Sequence, residues 1–335
     1  MKPSAIIRLL AHAFRNRLKV LLVSSPGIGK SAVVELATKL AEADLVTMHP
    51  AVSDPTDFKG LPAAIKSGTR TLAEFLPFGN LRKLVEAKSL TVCFIDDIGQ
   101  APHSVQAALM QLIHAREVDG QKISDHVVFV GATNDSSHMA GVNSILEPVK
   151  SRWDTIIQMN CDVDDWVAWA INQKHIAPSV VAYIRFRPAH LNDFKPSREL
   201  RNSPCPRTVE AVGKWVATGI EDPQIIAGAA GEGFATEFSA FLQVWKSLPD
   251  IDGLIAAPST APLPDLTKPS LVIATVTAIA YRATAKNLAN VITYLERLPK
   301  EFEMIAIQDA TARDKALMET APYTHWTIKN QALFA

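Results

Sequence analysis

One short turn constrains the fold of this chain more than any other segment. It lies between an apolar run at residues 19–25, which predicts a buried strand, and a helix predicted from residue 30 to about residue 43. The turn and the start of the helix read Ser24-Ser25-Pro26-Gly27-Ile28-Gly29-Lys30-Ser31. A glycine-containing turn in this position is typical of a loop whose backbone N–H groups bind phosphate oxygens. The sequence therefore predicts a phosphate loop in a parallel α/β sheet.

Several residues of this loop are chemically suited to bind phosphate or Mg²⁺. Gly27 and Gly29 let backbone N–H groups turn inward toward phosphate oxygens. Lys30 adds a positive charge, and Ser31 offers a hydroxyl group to Mg²⁺. We predict that the nucleotide is bound by Ser25, Pro26, Gly27, Ile28, Gly29, Lys30, Ser31 and Ala32. Ser24 departs from the pattern, whose usual first residue is glycine, and the alternative interpretation is a glycine turn that only caps the helix.

A second apolar run, at residues 90–96, ends in the two acids Asp96 and Asp97. Its continuous apolar character suits a central parallel strand that is covered on both faces. An unpaired acid at the end of such a strand is unfavourable, so these carboxylates need partners. We predict that Asp96 holds Mg²⁺ together with Ser31, and that Asp97 orients the attacking water. The alternative is a turn at the strand end whose acids are simply solvated.

The remaining periodicity predicts the fold class. Further strands are predicted at residues 44–52, 126–133 and 155–159, and a helix at residues 102–116. Strands that alternate with helices predict an α/β fold with a doubly wound parallel sheet, whose ligands bind at the carboxyl ends of the strands. After about residue 160 the pattern becomes helical, and a proline-rich stretch at residues 258–269 is the best candidate for a linker.

Composition excludes several other classes of protein. The 335 residues include 34 basic and 34 acidic side chains, and this neutral balance argues against bulk attraction to nucleic acid or to a membrane surface. No apolar run reaches the length of a membrane span. The three cysteines, Cys93, Cys161 and Cys205, are far apart, so neither a disulfide framework nor a zinc site is predicted. A reducing cytoplasm fits this cysteine usage best.

The two motifs together resemble those of the AAA+ ATPases, and three further segments extend the resemblance. Ala132-Thr133-Asn134, at the end of a predicted strand, is similar to sensor 1, in which Asn134 would help to place the attacking water. The segment at residues 145–154 resembles the one that carries the arginine finger, so Arg152 would reach the nucleotide of a neighbouring subunit. Pro206-Arg207-Thr208 resembles sensor 2, in which Arg207 would contact the γ-phosphate of its own subunit's ATP.

Each of these three residues also has a local alternative. Asn134 would serve as a turn residue, and Arg152 as half of a surface ion pair. Thr208 would cap a helix beside a solvated Arg207. The ordered sequence of five elements, from the phosphate loop to the sensor 2 arginine, favours the AAA+ interpretation.

Within the AAA+ proteins the chain resembles the MoxR-type ATPases, including bacterial and phage forms with a long helical tail. The likeness rests on the segments at residues 54–62, 132–134, 151–153 and 206–208, and more loosely on residues 294–302. It implies a P-loop NTPase α/β core at residues 1–160, an α-helical lid at 161–257, and a proline-rich linker with a helical C-terminal extension at 258–335. It also implies ATP and Mg²⁺ as cofactors, a homo-oligomeric ring that is a hexamer in the family, and a partner protein with a von Willebrand factor A domain.

The function implied is that of an ATPase that remodels or activates a partner protein. The family usually has glutamate where this chain has Asp97, so one alternative is a nucleotide-gated scaffold with very slow hydrolysis. Another alternative is a DNA motor or loader, which the neutral charge disfavours. Trp166, Trp169 and Trp215 are predicted to be core residues rather than a base-stacking platform. Residues 58–60 lie where many AAA+ rings place a pore loop, but an aspartate-rich turn that starts a helix explains them as well.

Overall fold

The computed structural model describes residues 1–118, 120–135, 145–197 and 199–331. It contains two compact units, Met1–Cys161 and Asp162–Ala335. The strands, all in the first unit, are β1 Val20–Ser24, β2 Asp44–Met48, β3 Leu61–Ser67, β4 Arg70–Leu76, β5 Thr91–Ile95, β6 Glu117–Val118, β7 Gln121–Lys122, β8 Val127–Asn134 and β9 Thr155–Gln158. The α-helices of this unit are α1 Pro3–Arg15, α2 Lys30–Leu40, α3 Thr56–Lys59, α4 Gly79–Val85, α5 His103–Ala115 and α6 Glu147–Lys150.

The first unit is built on a five-stranded parallel sheet with the order β2-β5-β8-β1-β9. The last residue of β1, Ser24, lies opposite Asn134 of β8, and the last residue of β5, Ile95, lies opposite Gly131. The carboxyl ends of β1, β5 and β8 therefore meet at one edge of the sheet. The predicted doubly wound α/β fold is confirmed, and the predicted strands and the helix after the phosphate loop are all present.

Helices cover both faces of this sheet. On one face α1 and α2 pack through a common core that includes Ile6, Leu10 and Phe14, which recur every four residues along α1. On the other face α5 buries Val105 and Leu109 against the sheet. Because both faces are covered, every residue of β5 and of β8 is buried, and both strands are apolar except at their ends.

The hairpin formed by β3 and β4 is absent from the sequence prediction. Its strands pair antiparallel from Leu61 and Leu76 at the base to the tip, where Gly68 has a φ of +62°. A glycine in a two-residue loop between two runs of alternating apolar and polar residues predicts a hairpin, and the sequence contains this pattern. The segment before the hairpin is confirmed as a turn that starts a helix, because the Asp54 carboxylate accepts from the N–H of Thr56. Phe58 of that helix is buried, which favours the turn over a pore loop.

The second unit is helical throughout the residues that the structure describes. Its α-helices are α7 Val163–Ala170, α8 Pro178–Phe186, α9 Pro206–Ala217, α10 Pro223–Ala230, α11 Glu232–Lys246, α12 Ile251–Ala256, α13 Pro269–Arg282, α14 Leu288–Leu295, α15 Lys300–Arg313 and α16 Ala321–Lys329. Side chains at their N-caps explain several helix starts; Asp222 and Thr320, for example, accept from N–H groups of the first turn. None of the described helices is long and apolar enough to cross a membrane.

The proline-rich stretch predicted as a linker is bound to the rest of this unit. Arg297 donates to the carbonyl oxygens of Pro258 and Ala261 at 2.6 and 2.8 Å, and Tyr294 donates to that of Pro262 at 2.9 Å. Helices on both sides of the stretch belong to the same compact unit. The division into a lid and an extension at residue 257 stays a prediction.

The tryptophans of the second unit only partly match their prediction as core residues. Trp166 is 7% exposed and lies in the core. Trp169 and Trp215 are 38% and 44% exposed, so the prediction is wrong for these two. Both residues lie on amphipathic helices, at the margin of the apolar stripe. The sequence pattern does not determine whether a large aromatic side chain at that margin turns toward the core or toward solvent.

Candidate functional site

The predicted phosphate loop forms one continuous turn between β1 and α2. Gly27 has a φ of +76°, and Gly29, the N-cap of α2, has a φ of +97°. Residues with a Cβ atom rarely adopt such angles, so both positions favour glycine. Ile28, between them, is 7% exposed and packs into the core shared by α1 and α2, which fixes the middle of the turn. The two glycines and the buried Ile28 therefore place the N-terminus of α2, with its N–H groups, at the end of β1.

Lys30 is held at this edge by protein acceptors. Its Nζ donates to Oδ1 of Asn134 at 2.6 Å and to Oγ of Ser24 at 3.1 Å, and it lies 3.5 Å from the carbonyl oxygen of Ser25. The residue is 8% exposed, and a buried ammonium group is tolerated only with such partners. The lysine predicted to bind phosphate and the asparagine predicted to act as sensor 1 are thus in direct contact.

Ser31 and Asp96 form the second part of the site. The Ser31 hydroxyl donates to Oδ2 of Asp96 at 2.9 Å, and both residues are only partly buried. A hydroxyl group and a carboxylate are the hard oxygen ligands that Mg²⁺ accepts, so this pair fits the predicted metal position. The described residues contain no cluster of three or more His, Cys, Asp or Glu side chains that would hold a metal ion alone. A metal that keeps several waters and is bound together with phosphates needs no such cluster.

Asp97 follows Asp96 with an unusual backbone conformation. Its φ and ψ are +53° and +40°, in the left-handed region, and its N–H donates to Oδ1 of Asp96 at 3.0 Å. Aspartate and asparagine enter this region more readily than most residues with a side chain. The conformation brings Oδ1 of Asp97 to 3.4 Å from Nδ2 of Asn134. The two residues predicted to position the attacking water therefore lie side by side.

Arg152 lies just after α6, in the same unit. Its Nη1 donates to the Ser151 hydroxyl at 3.0 Å, while its Nε is buried and has no hydrogen-bond partner among the described residues. The predicted alternative, a surface ion pair of Arg152, is not among the ion pairs of the described residues. Trp153, the next residue, anchors the segment: it is 6% exposed, and its ring packs against Gly131 of β8.

We expect Gly131→Ala to destabilise the protein by about 2 kcal/mol, because an added methyl group forces a packed core to shift. A Cβ at residue 131 would lie 2.8 Å from the Trp153 ring, closer than real Cβ atoms come to a neighbour. Urea unfolding of the two proteins measures the difference. Gly228→Ala in α10 is the matched control, since a Cβ there has no heavy atom within 4 Å. A smaller ring in the double variant Gly131→Ala/Trp153→Phe should restore part of the lost stability; unchanged stability of Gly131→Ala itself would contradict the packing argument.

Arg207 belongs to the second compact unit, at the start of α9. Thr208 is not itself the N-cap, which is Cys205, but the third residue of α9, where its hydroxyl group accepts from the N–H of Cys205 at 2.8 Å in a capping box. Arg207 itself is exposed. A positive charge in the first turn of a helix is unfavourable with respect to the helix dipole, which an anionic ligand would offset. Its proposed contact with ATP stays a prediction.

The structure therefore brings together, at the edge formed by β1, β5 and β8, most of the residues that the sequence selects. One functional candidate that sequence reasoning missed is the Ser24 hydroxyl, which the motif pattern treats only as a missing glycine. Another is Gly131, whose lack of a side chain is needed by Trp153. The catalytic and binding roles of Asp97, Asn134, Arg152 and the loop residues stay predictions.

The first unit matches a known family model. The match, at residues 19–153, is to the AAA domain (dynein-related subfamily). The chain is 22% identical over 228 residues to the tRNA(Ile)-lysidine synthases of Brucella melitensis biotype 2 (strain ATCC 23457) and Brucella ovis (strain ATCC 25840 / 63/290 / NCTC 10512), a match that covers 65% of this chain. The chain spans about half (50%) of the length of these curated relatives.

Two solved structures are similar at a lower level. The RuvB Holliday junction branch migration motor of Thermotoga maritima is 16% identical with a TM-score of 0.41, covering 88% of this chain and 86% of that chain. NtrX from Brucella abortus in complex with ADP is 12% identical with a TM-score of 0.43, covering 99% of this chain and 68% of that chain. Neither likeness is strong enough to transfer a function.

Proposed function

We propose that the chain binds Mg·ATP at the carboxyl edge of its parallel sheet and hydrolyses it. The observation that carries this proposal is the chain of contacts from Lys30 through Asn134 to Asp97. A phosphate-binding lysine, a polar sensor and a carboxylate are joined by hydrogen bonds within one AAA domain. That combination serves phosphoryl transfer to water better than it serves simple nucleotide storage.

In the proposed mechanism each side chain acts on charge or on the attacking water. Lys30 neutralises negative charge on the phosphates, and Asn134 with Asp97 orients a water molecule toward the terminal phosphorus. The water oxygen forms a bond to phosphorus as the bond to the ADP oxygen breaks, and Asp97 accepts the water proton. Ser31 and Asp96 would hold Mg²⁺, which would supply further charge neutralisation at the phosphates. Water has to be positioned before attack, and pre-placed donors and acceptors lower the barrier because they need no reorganisation.

The shorter side chain of Asp97 favours a second candidate function. With aspartate in place of glutamate, hydrolysis would be so slow that ATP mainly controls assembly and partner binding, as in a nucleotide-gated scaffold. The left-handed backbone of Asp97 supports the hydrolytic function instead, since it turns the carboxylate toward Asn134. Glutamate enters this backbone region less readily, so the site is adapted to aspartate.

We expect Asp97→Asn to reduce ATP turnover by at least about 100-fold, the usual contribution of a general base, with Mg·ATP affinity unchanged within about threefold. Phosphate release and calorimetry measure the two quantities. Asp97→Glu should not raise turnover, because the longer residue strains the left-handed backbone. Asp125→Asn, in an exposed turn before β8, is the matched control. Faster turnover in Asp97→Glu than in the unaltered protein would contradict the argument that the site suits aspartate and would favour the scaffold function.

We further propose an oligomeric ring of MoxR type, a hexamer by resemblance, that remodels or activates a partner protein. The support is the resemblance of the segment around Arg152, together with the contacts of its guanidinium group, which donates to the adjacent Ser151 hydroxyl at an exposed position and forms no ion pair among the described residues. A guanidinium group that completes a neighbour's site would find its partner only in the assembly. Capture of the tagged protein with a slowly hydrolysed ATP analogue tests this, and a co-purifying von Willebrand factor A protein is the expected result.

A further inference from the structure

Ser24 occupies the position where the phosphate-loop pattern has its first glycine. It is the last residue of β1, in ordinary extended backbone, and it is completely buried. Its carbonyl oxygen accepts from the N–H of Asp135, and it pairs in register with Asn134 of β8. The backbone at this position therefore needs no glycine, and its pairing with β8 fixes the backbone that carries the side chain.

The Ser24 hydroxyl group is oriented to accept a hydrogen bond from Lys30. It donates its proton to the carbonyl oxygen of Ser25 at 3.0 Å, which leaves the oxygen lone pairs for a donor on the other side. Nζ of Lys30 is that donor, at 3.1 Å. A hydroxyl group has one proton and two acceptor sites, so the commitment of the proton makes Ser24 a pure acceptor toward the ammonium group.

Asn134 also accepts from Lys30, but its contact differs from that of Ser24. The same amide group reaches Asp97, so Asn134 has a second partner beside the ammonium group. Ser24 instead has its second partner, the carbonyl oxygen of Ser25, within its own loop. The ammonium group of Lys30 has three donors, so its contact with Ser24 can persist when a phosphate oxygen takes up another of them.

We propose that Ser24 is a positioning residue, whose hydroxyl group holds the Lys30 ammonium at the phosphate loop before and during nucleotide binding. The inference rests on the proposed function of this site as a Mg·ATP site. Lysine is a long, flexible side chain that loses rotamer freedom when it binds a ligand. Ordering it in advance removes that loss from the binding step, so the hydroxyl raises nucleotide affinity without taking part in the chemical step.

The test compares Ser24→Ala, Ser24→Gly and Ser24→Thr with the unaltered full chain. Calorimetry gives the Kd for Mg·ATP and for Mg·ADP, and phosphate release gives KM and kcat separately. Loss of one hydrogen bond to a charged group should raise Kd and KM about tenfold in the alanine and glycine variants. Their kcat should stay within about twofold, since the chemical step is not affected. Ser24→Thr keeps the hydroxyl group and should bind as the unaltered chain does.

The glycine variant makes the experiment decisive, because it restores the usual phosphate-loop pattern. If serine is merely tolerated there, Ser24→Gly will bind Mg·ATP as tightly as the unaltered chain or more tightly, and the proposal falls. It also falls if Ser24→Thr loses as much affinity as Ser24→Ala, or if kcat falls while KM is unchanged. Ser247→Ala, at the end of α11, controls for an unspecific effect of serine loss. Should Ser24→Ala fail to fold, the glycine variant carries the test. Absence of Mg·ATP binding by the unaltered chain would instead overturn the proposed function.

Discussion

Lys30→Ala is expected to abolish detectable binding of Mg·ATP. The Lys30 ammonium is the charged donor at the phosphate loop, and it already lies among acceptors at the edge of the sheet. Loss of a charge-assisted contact with phosphate removes about 3 kcal/mol or more of binding free energy, which lowers affinity by at least about 100-fold. Calorimetry with Mg·ATP at millimolar concentration should record no heat of binding, and phosphate release should be at background.

Two controls separate this effect from misfolding. Lys39→Ala removes an exposed lysine from the last turn of the same helix, α2, and should bind as the unaltered chain does. Lys30→Met keeps most of the buried stem while removing the charge, so its unfolding profile should stay close to that of the unaltered chain while binding is lost. Heat of binding in Lys30→Ala similar to that of the unaltered chain would mean that nucleotide does not bind through this loop.

The sequence was sufficient to predict the fold of the first unit, for a physical reason. Strands covered on both faces are nearly continuous apolar runs, and such runs, as in β5 and β8, are easily recognised between helices. Once the strands are parallel, their carboxyl ends meet at one edge. The acids after β5 and the asparagine that ends β8 were therefore expected close to the phosphate loop, and the contacts of Asn134 with Lys30 and Asp97 agree.

Other features depend on packing or geometry that no local pattern encodes. Asp97 has a left-handed backbone, although a run of apolar residues followed by acid gives no sign of it. The contact between Trp153 and Gly131 joins residues 22 positions apart. The Ser24 hydroxyl looked like a defect in a motif, because the motif records residue types and not the hydrogen bonds that they make. In each case the decisive information is a distance in space.

The left-handed backbone of Asp97 also changes what the length of its side chain implies for catalysis. If only residue types are compared, aspartate at position 97 is a shorter side chain than the usual glutamate, and a weaker catalyst is expected. Backbone geometry changes this inference, since the reach of a side chain depends on where its Cα lies as well as on its length. With a φ of +53°, Asp97 already contacts Asn134. A shorter acid on a turned backbone and a longer acid on an extended one can serve the same water molecule.

Arg152→Ala is expected to reduce ATP turnover on the order of 10³-fold or more while Mg·ATP affinity stays within about threefold. The proposed role of this arginine is to stabilise charge that develops on the phosphates of a neighbouring subunit in the transition state, and such an interaction affects rate rather than ground-state binding. Phosphate release and calorimetry on the same preparation give both quantities. Lys150→Ala, two residues earlier in an exposed ion pair with Glu147, is the matched control and should retain turnover.

Mixing two inactive variants distinguishes an arginine that acts on a neighbour from one that acts within its own chain. Lys30→Ala lacks the nucleotide site but keeps Arg152, whereas Arg152→Ala keeps the nucleotide site but lacks the arginine. If the arginine acts across an interface, mixed assemblies contain complete sites made from one chain of each kind, and turnover returns with a maximum at equal amounts of the two variants. An arginine that acts within its own chain leaves every mixture inactive. Unchanged turnover in Arg152→Ala alone would show that the residue completes no site at all, and the ring would lose its structural support.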